Sequence, residues 1–163
     1  LCYRALPDNK KDDTEKLLEI FSEYYGEHFL DKTKLYDGMK NCLDILKENG
    51  VILAVATNKP QNFAREIVEK LLSEYSFIKV LGGCSERPKK PDISIINEIL
   101  SETPKNNEVF MIGDSNVDIQ TAKNANIHSI GCVWGFRGRK ELENAGADFI
   151  AETPEDIADF ILK

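Results

Sequence analysis

Val51-Ile52-Leu53-Ala54-Val55-Ala56 is an unbroken apolar run, closed by the polar pair Thr57-Asn58 and then by Pro60. A short apolar run rich in β-branched side chains, with no polar residue alternating through it, reads as a strand buried on both faces. Such strands belong to parallel sheets covered by helices on both sides. The flanking sequence agrees. Ahead of the run, Met39, Cys42, Leu43 and Leu46 fall on one helical stripe that Gly50 ends. Behind it, Pro60 opens a helix whose stripe is Phe63, Ala64, Ile67, Val68, Leu71 and Leu72.

The alternation continues toward the C-terminus. Phe77 to Leu81 reads as a strand ended by Gly82-Gly83, and Asp92 caps a helix carrying Ile95, Ile96, Ile99 and Leu100. Val109 to Ile112 is the next buried strand, with a helix through Val117, Ala122 and Ala125 behind it. His128 to Trp134 reads as a further strand and Asp148 to Ala151 as a short last one. Thr153-Pro154-Glu155-Asp156 combines a cap, a first-turn proline and two acids, the start of a C-terminal helix. Toward the N-terminus, Leu17, Leu18, Phe21, Tyr24, Tyr25 and His28 recur at the helical period. Strand and helix in this order predict an α/β fold, a doubly wound parallel sheet.

Composition narrows the partners. Of 163 residues, 21 are Lys or Arg and 28 are Asp or Glu, a formal charge of −7. That balance argues against nucleic acid and against anionic membranes, which both require clustered positive charge. The longest apolar run is far shorter than the ~20 residues that span a bilayer, and the N-terminal residues lack the apolar core of a signal peptide. Cys2, Cys42, Cys84 and Cys132 are widely spaced with no C-x-x-C pair, so reduced thiols in a cytoplasmic protein are expected.

Ligands of doubly wound sheets bind outside the carboxyl ends of the strands. The segments there are Thr57-Asn58, the loop from Gly82 to Lys90, Asp114 to Asp118, and Gly135 to Arg137. In Gly113-Asp114-Ser115-Asn116-Val117-Asp118, two carboxylates stand four residues apart where a strand turns into a helix. Hard oxygen donors of this kind suit Mg²⁺, which takes one or two carboxylates and completes its shell with water and phosphate. The plainer alternative is a helix cap with an acid in the first turn. Thr57-Asn58, before a helix, offers a hydroxyl, an amide and backbone N–H groups to a phosphate, though either residue would serve equally as a cap. Lys90 lies between Pro88 and Pro91 in a stiffened loop, and an acidic phosphate-binding protein needs such a local cation. A solvated basic loop is the alternative. His28 and His128 have no partner at ligand spacing and are read as core or surface residues, as is Trp134.

Taken together, these segments resemble the haloacid dehalogenase superfamily, in its phosphoglycolate phosphatase-like branch. Val55-Ala56-Thr57-Asn58-Lys59-Pro60 is similar to the second family motif, Lys90-Pro91 to the third, and Gly113 to Ile119 to the fourth. Around them, Tyr36-Asp37-Gly38-Met39 resembles a Y-P-G-V entry to the core, with Asp37 in place of Pro. Val133-Trp134-Gly135-Phe136-Arg137 and Ala145-Gly146-Ala147-Asp148 resemble two further family segments. The resemblance implies a Mg²⁺-dependent phosphatase of small phosphorylated metabolites. Asp114 would be the metal ligand, and Asp118 would hold metal-bound water or orient Lys90. Thr57 and the Asn58 N–H would bind the phosphoryl group, and Lys90 would neutralise it. Catalysis would run through an aspartyl-phosphate.

One family motif does not appear. D-x-D-G-T, which supplies the nucleophile and the general acid/base, is absent from these 163 residues, and Asp12-Asp13 is adjacent rather than spaced. In the family that motif lies on a central strand, between the one ending at Thr57 and the one ending at Asp114. Without it those strands stand roughly 9.6 Å apart, twice the ~4.8 Å spacing of neighbours. Residues 1–34 are expected to be a remnant of a helical cap and 35–163 an α/β core lacking its first strand. The natural protein is expected to be longer, in keeping with Leu1 in place of Met, and the 163-residue chain alone to be inactive. Pyrophosphatase and phosphosugar mutase activities stay open within the family, and so does a non-catalytic phosphate- or partner-binding fragment. A serine esterase reading of Gly113-Asp114-Ser115 needs a downstream D-x-x-H, and none follows.

Overall fold

The computed structural model describes residues 2–105 and 107–163. In chain order its elements are α1 (Cys2–Ala5), a 3-10 segment (Asp8–Asp13), α2 (Thr14–His28), α3 (Met39–Glu48), β1 (Leu53–Pro60), α4 (Gln61–Leu71), β2 (Phe77–Gly83), α5 (Ser94–Leu100), β3 (Phe110–Gly113), α6 (Asn116–Ala125), β4 (His128–Cys132), α7 (Gly138–Ala145), β5 (Phe149–Ala151) and α8 (Pro154–Ile161). The chain divides into two compact units, Leu1–Lys34 and Leu35–Lys163.

The first unit is helical. Along one side of α2, the rings of Phe21 and Tyr25 stack at 5.3 Å, and Tyr25 meets Phe29 at 6.0 Å. These are positions four apart, which face one another on a helix. Lys11 Nζ donates to the carbonyls of Tyr3 (2.8 Å) and Leu6 (2.7 Å), tying the 3-10 segment to the first turn of chain. Leu18 and Tyr24, expected on the apolar stripe, are exposed.

The second unit is the α/β fold that the alternation predicts. Among the described residues its strands pair in parallel, but they form two sheets, β1-β2 and β3-β4-β5. Thus β1 and β3 each end a sheet. Successive side chains of a strand face opposite ways, and β3 obeys this: Phe110 packs with one apolar cluster and Met111 with the other. The first cluster joins Cys42 and Leu46 of α3, Ile130 and Cys132 of β4, and Ile157 and Ala158 of α8, with Leu53 of β1 against it. The second joins Leu81 of β2, three isoleucines of α5, Met111 and Ala122 of α6, with Ala56 of β1 against it. Each cluster therefore draws side chains from both sheets. Helices on both faces, not a continuous ladder, hold the two sheets as one body.

Several boundaries differ from those read off the sequence. β1 begins at Leu53 and runs through Thr57-Asn58-Lys59 to Pro60, so Pro60 ends the strand and precedes α4 rather than opening it. The extension is a bulge: Ala56 pairs with Leu81 and Pro60 with Gly83, leaving 57–59 opposite Gly82 alone. Gln61 repairs the ladder there, its amide donating to Val80 O (2.8 Å) and accepting from Gly82 N (2.6 Å). Gly82-Gly83 consequently forms the last two residues of β2 instead of following it. Asp92 stands one residue before the N-cap position, which is Ile93, yet its carboxylate still accepts from Ser94 N at 2.8 Å. β4 stops at Cys132, two residues short of Trp134. α7 is not among the elements that the sequence predicts; its sequence, Gly-Arg-Lys-Glu-Leu-Glu-Asn-Ala, buries only Leu142. Among the described residues, no helix is long and apolar enough to cross a membrane.

Candidate active site

The bulged end of β1 brings Asn58 against the loop ahead of α5. Its side-chain amide grips the main chain of Lys90 from both sides, with Oδ1 accepting from Lys90 N (2.8 Å) and Nδ2 donating to Lys90 O (3.0 Å). A third amide, Asn124 Nδ2 on α6, donates to Pro91 O at 2.9 Å. The peptide between Lys90 and Pro91 is cis. With its backbone held at these points, the Lys90 side chain runs inward. Its ammonium donates to Ala56 O of β1 (2.8 Å) and to Asp118 Oδ1 (2.6 Å).

Asp118 sits in the first turn of α6, directly beyond β3. Its second oxygen, Oδ2, accepts from Ser115 Oγ (2.7 Å) and Ser115 N (3.2 Å). The carboxylate thereby caps the helix and holds the lysine ammonium at once. The fit is close: a Cβ at Gly113 would collide with the Asp118 side chain. Only glycine lets the end of β3 pass so near.

Asp114 is held from the opposite side. Its Oδ2 accepts from Phe136 N at 2.8 Å, and Gly135 approaches so closely that a Cβ there would overlap the carboxylate. Thr57 Oγ1 accepts from Lys59 N at 3.1 Å within the bulge. The negative field of Asp114 and Asp118 reaches the end of β4: burial first, then these two charges, push the Cys132 thiol up to about 12.

The predicted residues therefore group as follows. Asn58, Lys90 and Asp118 are joined by direct hydrogen bonds at the carboxyl ends of β1 and β3. Thr57 is the chain neighbour of Asn58, and Asp114 lies one helical turn before Asp118. His28 pairs with Asp31 at 2.8 Å in the first unit, and His128 stacks on Phe110 at 5.4 Å. Among the described residues, His128 has no hydrogen bond into this group. Asn124 and the Phe136 N–H were not singled out from sequence. Nothing in an Asn on an amphipathic helix, or in a backbone N–H, announces such a role.

Among the described residues, no three His, Cys, Asp or Glu side chains cluster as ligands. Asp118 has both oxygens engaged, while Asp114 keeps Oδ1 outside the hydrogen bonds described. One carboxylate oxygen meets the smallest protein share that Mg²⁺ accepts, the rest being water and phosphate oxygen.

Comparison with known proteins gives a consistent picture. The family model described as haloacid dehalogenase-like hydrolase matches residues 3–132. A phosphoglycolate phosphatase of Vibrio parahaemolyticus is 31% identical over 155 residues, covering 94% of this chain and 68% of that protein. One from Vibrio cholerae is 33% identical over 144 residues, 88% of this chain and 64% of the relative. A crystal structure from Lactobacillus delbrueckii subsp. bulgaricus, provisionally named a phosphoglycolate phosphatase, superposes with a TM-score of 0.84. It is 33% identical and covers 97% of this chain and 65% of its own. The chain thus spans about two thirds of the length of the proteins it matches.

Proposed function

This chain belongs to the haloacid dehalogenase-like hydrolase family, and on that premise we propose that it forms the larger part of a phosphatase acting on small phosphorylated metabolites, phosphoglycolate first among them. The observation that carries the proposal is the Lys90–Asp118 pair, held by Asn58 where β1 and β3 end.

In this reading each residue has a separate task. Asn58 fixes the Lys90 main chain, and Asp118 aims the ammonium at the strand ends, where it meets a phosphoryl oxygen. Thr57 Oγ1 and the Asn58 N–H donate to the same group. Fixed donors aimed at the transferred phosphoryl stabilise its charge without having to reorganise during the reaction. Asp114 would hold Mg²⁺, which supplies countercharge for the phosphate when bound. The nucleophile is an aspartate carried on a segment that these 163 residues do not include, and it forms a transient aspartyl-phosphate that water then cleaves. The chain alone is therefore inactive, and the enzyme acts as a cytoplasmic protein.

The test is turnover of phosphoglycolate with Mg²⁺ by the complete protein and by its Asp114→Asn and Lys90→Ala variants. Loss of turnover in both supports the assignment. Full activity in either removes that residue from the site, and measurable turnover by the isolated 163 residues refutes an external nucleophile.

A further inference from the structure

The loop after β4 turns its main chain toward the site. Gly135 lies against the Asp114 carboxylate, and Phe136 N donates to Asp114 Oδ2 at 2.8 Å. The side chains that follow stand in solvent beside it. The Phe136 residue is 94% exposed, and the Arg137 side chain is 47% exposed. We propose that Arg137 is a specificity-determining residue, whose guanidinium binds a carboxylate that the substrate carries beyond its phosphoryl group. The inference rests on the phosphatase reading above and deepens it, from phosphate esters in general to phosphate esters of hydroxy acids.

Arg137 is the weakly held guanidinium of this region. Arg87 donates to Glu98 Oε2 (2.5 Å) and to Gly82 O (2.5 Å), and its side chain is only 11% exposed. Arg139 pairs with Glu143 at 2.9 Å and with Glu152. Among the described residues, Arg137 has one ion pair, from Nε to Glu141 Oε1 at 3.9 Å. That same oxygen already accepts from Asn116 N on α6 at 3.1 Å. An exposed pair four residues apart contributes little, so an incoming anion displaces Glu141 easily. The shared oxygen also places the guanidinium beside the first turn of α6, which begins two residues after Asp114.

The charges at this edge call for a second cation. Lys90 directs two of its three ammonium protons to Ala56 O and Asp118 Oδ1, leaving one for a phosphoryl oxygen. Asp114, Asp118 and Glu141 add negative field in a chain of formal charge −7. A substrate with a second negative group is repelled there unless another cation meets it. A guanidinium presents parallel N–H groups in one plane, which match the two oxygens of a carboxylate. In phosphoglycolate the carboxylate carbon is two bonds from the ester oxygen, so its charge stays close to the phosphoryl group.

The test is a ratio measured on the complete enzyme: kcat/KM for phosphoglycolate divided by kcat/KM for ethyl phosphate, which has a methyl group in place of the carboxylate. Arg137→Gln is expected to lower the ratio about 10- to 100-fold, mainly through the KM for phosphoglycolate. Arg137→Glu should lower it further and shift preference toward phosphoethanolamine, whose ammonium suits the new carboxylate. Arg139→Gln removes an equal charge two residues away and should leave the ratio as it is. Misfolding reduces both terms alike, so the ratio reports selection alone. A wild-type ratio near one overturns the proposal, as does an unchanged ratio in Arg137→Gln or an equal fall in Arg139→Gln; the phosphatase reading survives each of these. A wild type that hydrolyses neither ester overturns both.

Discussion

Lys90 Nζ lies 2.6 Å from Asp118 Oδ1, and the two side chains are only 8% and 10% exposed. The pair spans the seam between the sheets, since the same ammonium also bonds to Ala56 O of β1. A buried pair gives little net stability against an apolar substitute, but stranding one partner is costly. Asp118→Ala is expected to lower unfolding free energy by about 3 kcal/mol. The double variant Lys90→Met/Asp118→Leu should lose clearly less than the sum of its single changes. Denaturant titration of the three variants checks this, and simple additivity would show that the pair is not coupled.

Asn58 engages Lys90 through main-chain atoms only, so its effect on the lysine is positional. In the complete enzyme, Asn58→Ala is expected to lower kcat about 10- to 100-fold with little change in thermal stability. Asn58→Asp keeps the acceptor for Lys90 N and loses the donor to Lys90 O, and should fall between the two. Steady-state kinetics with phosphoglycolate, run beside thermal melts, separates positioning from folding.

Gly135 touches the Asp114 carboxylate, and a methyl there forces that carboxylate aside. Gly135→Ala should cost about 1–3 kcal/mol of stability and raise the Mg²⁺ concentration needed for half-maximal turnover. A Mg²⁺ titration of the variant against the wild type measures the shift. An unchanged requirement would remove Asp114 as a ligand.

Asp148 accepts from both Ser129 Oγ (2.7 Å) and Ser129 N (2.8 Å). These bonds, the side-chain one first, hold its carboxyl below the ordinary 3.8. The folded group then binds its proton less readily than the unfolded one. Its stabilising effect is complete above the unfolded pKa and is lost as the pH falls through the lower folded value. Asp148→Asn should therefore flatten the fall in stability on the acid side of pH 3.8. Melting temperatures across an acid series test the sign.

Thiol chemistry separates the cysteines. With Cys132 pushed up from 9.0 to about 12, its thiolate fraction at neutral pH falls about a thousandfold. Cys42 is also buried and shifted upward, chiefly by burial. Cys84 is half-buried and should be labelled well before either. Timed alkylation followed by peptide mass analysis gives the order.

The kind and order of the strands and core helices could be read from the sequence because each buried strand is an unbroken apolar run and each helix stripe keeps its period. Their ends could not. β1 continues through Thr57-Asn58-Lys59 only because the bulge is accommodated opposite Gly82 and mended by Gln61, two features set by the partner strand. α7 escaped because one buried leucine among charged residues leaves no apolar stripe. At the site, Lys90, Asp114 and Asp118 stood out as charges placed at strand ends. Asn124 and the Phe136 N–H act through main-chain contacts that only the folded chain brings about.

The seam between the two sheets also carries a temperature signature. Apolar contacts from the helical layers join β1-β2 to β3-β4-β5, with the Lys90–Asp118 pair at one end. Apolar association weakens on cooling, and the cost of stripping water from an ion pair grows as temperature falls. Both effects act in the same direction at one place. A continuous ladder of backbone bonds would resist this; here the joint is expected to loosen on cooling, so that chilling parts the half-sheets before either loses its own pairing.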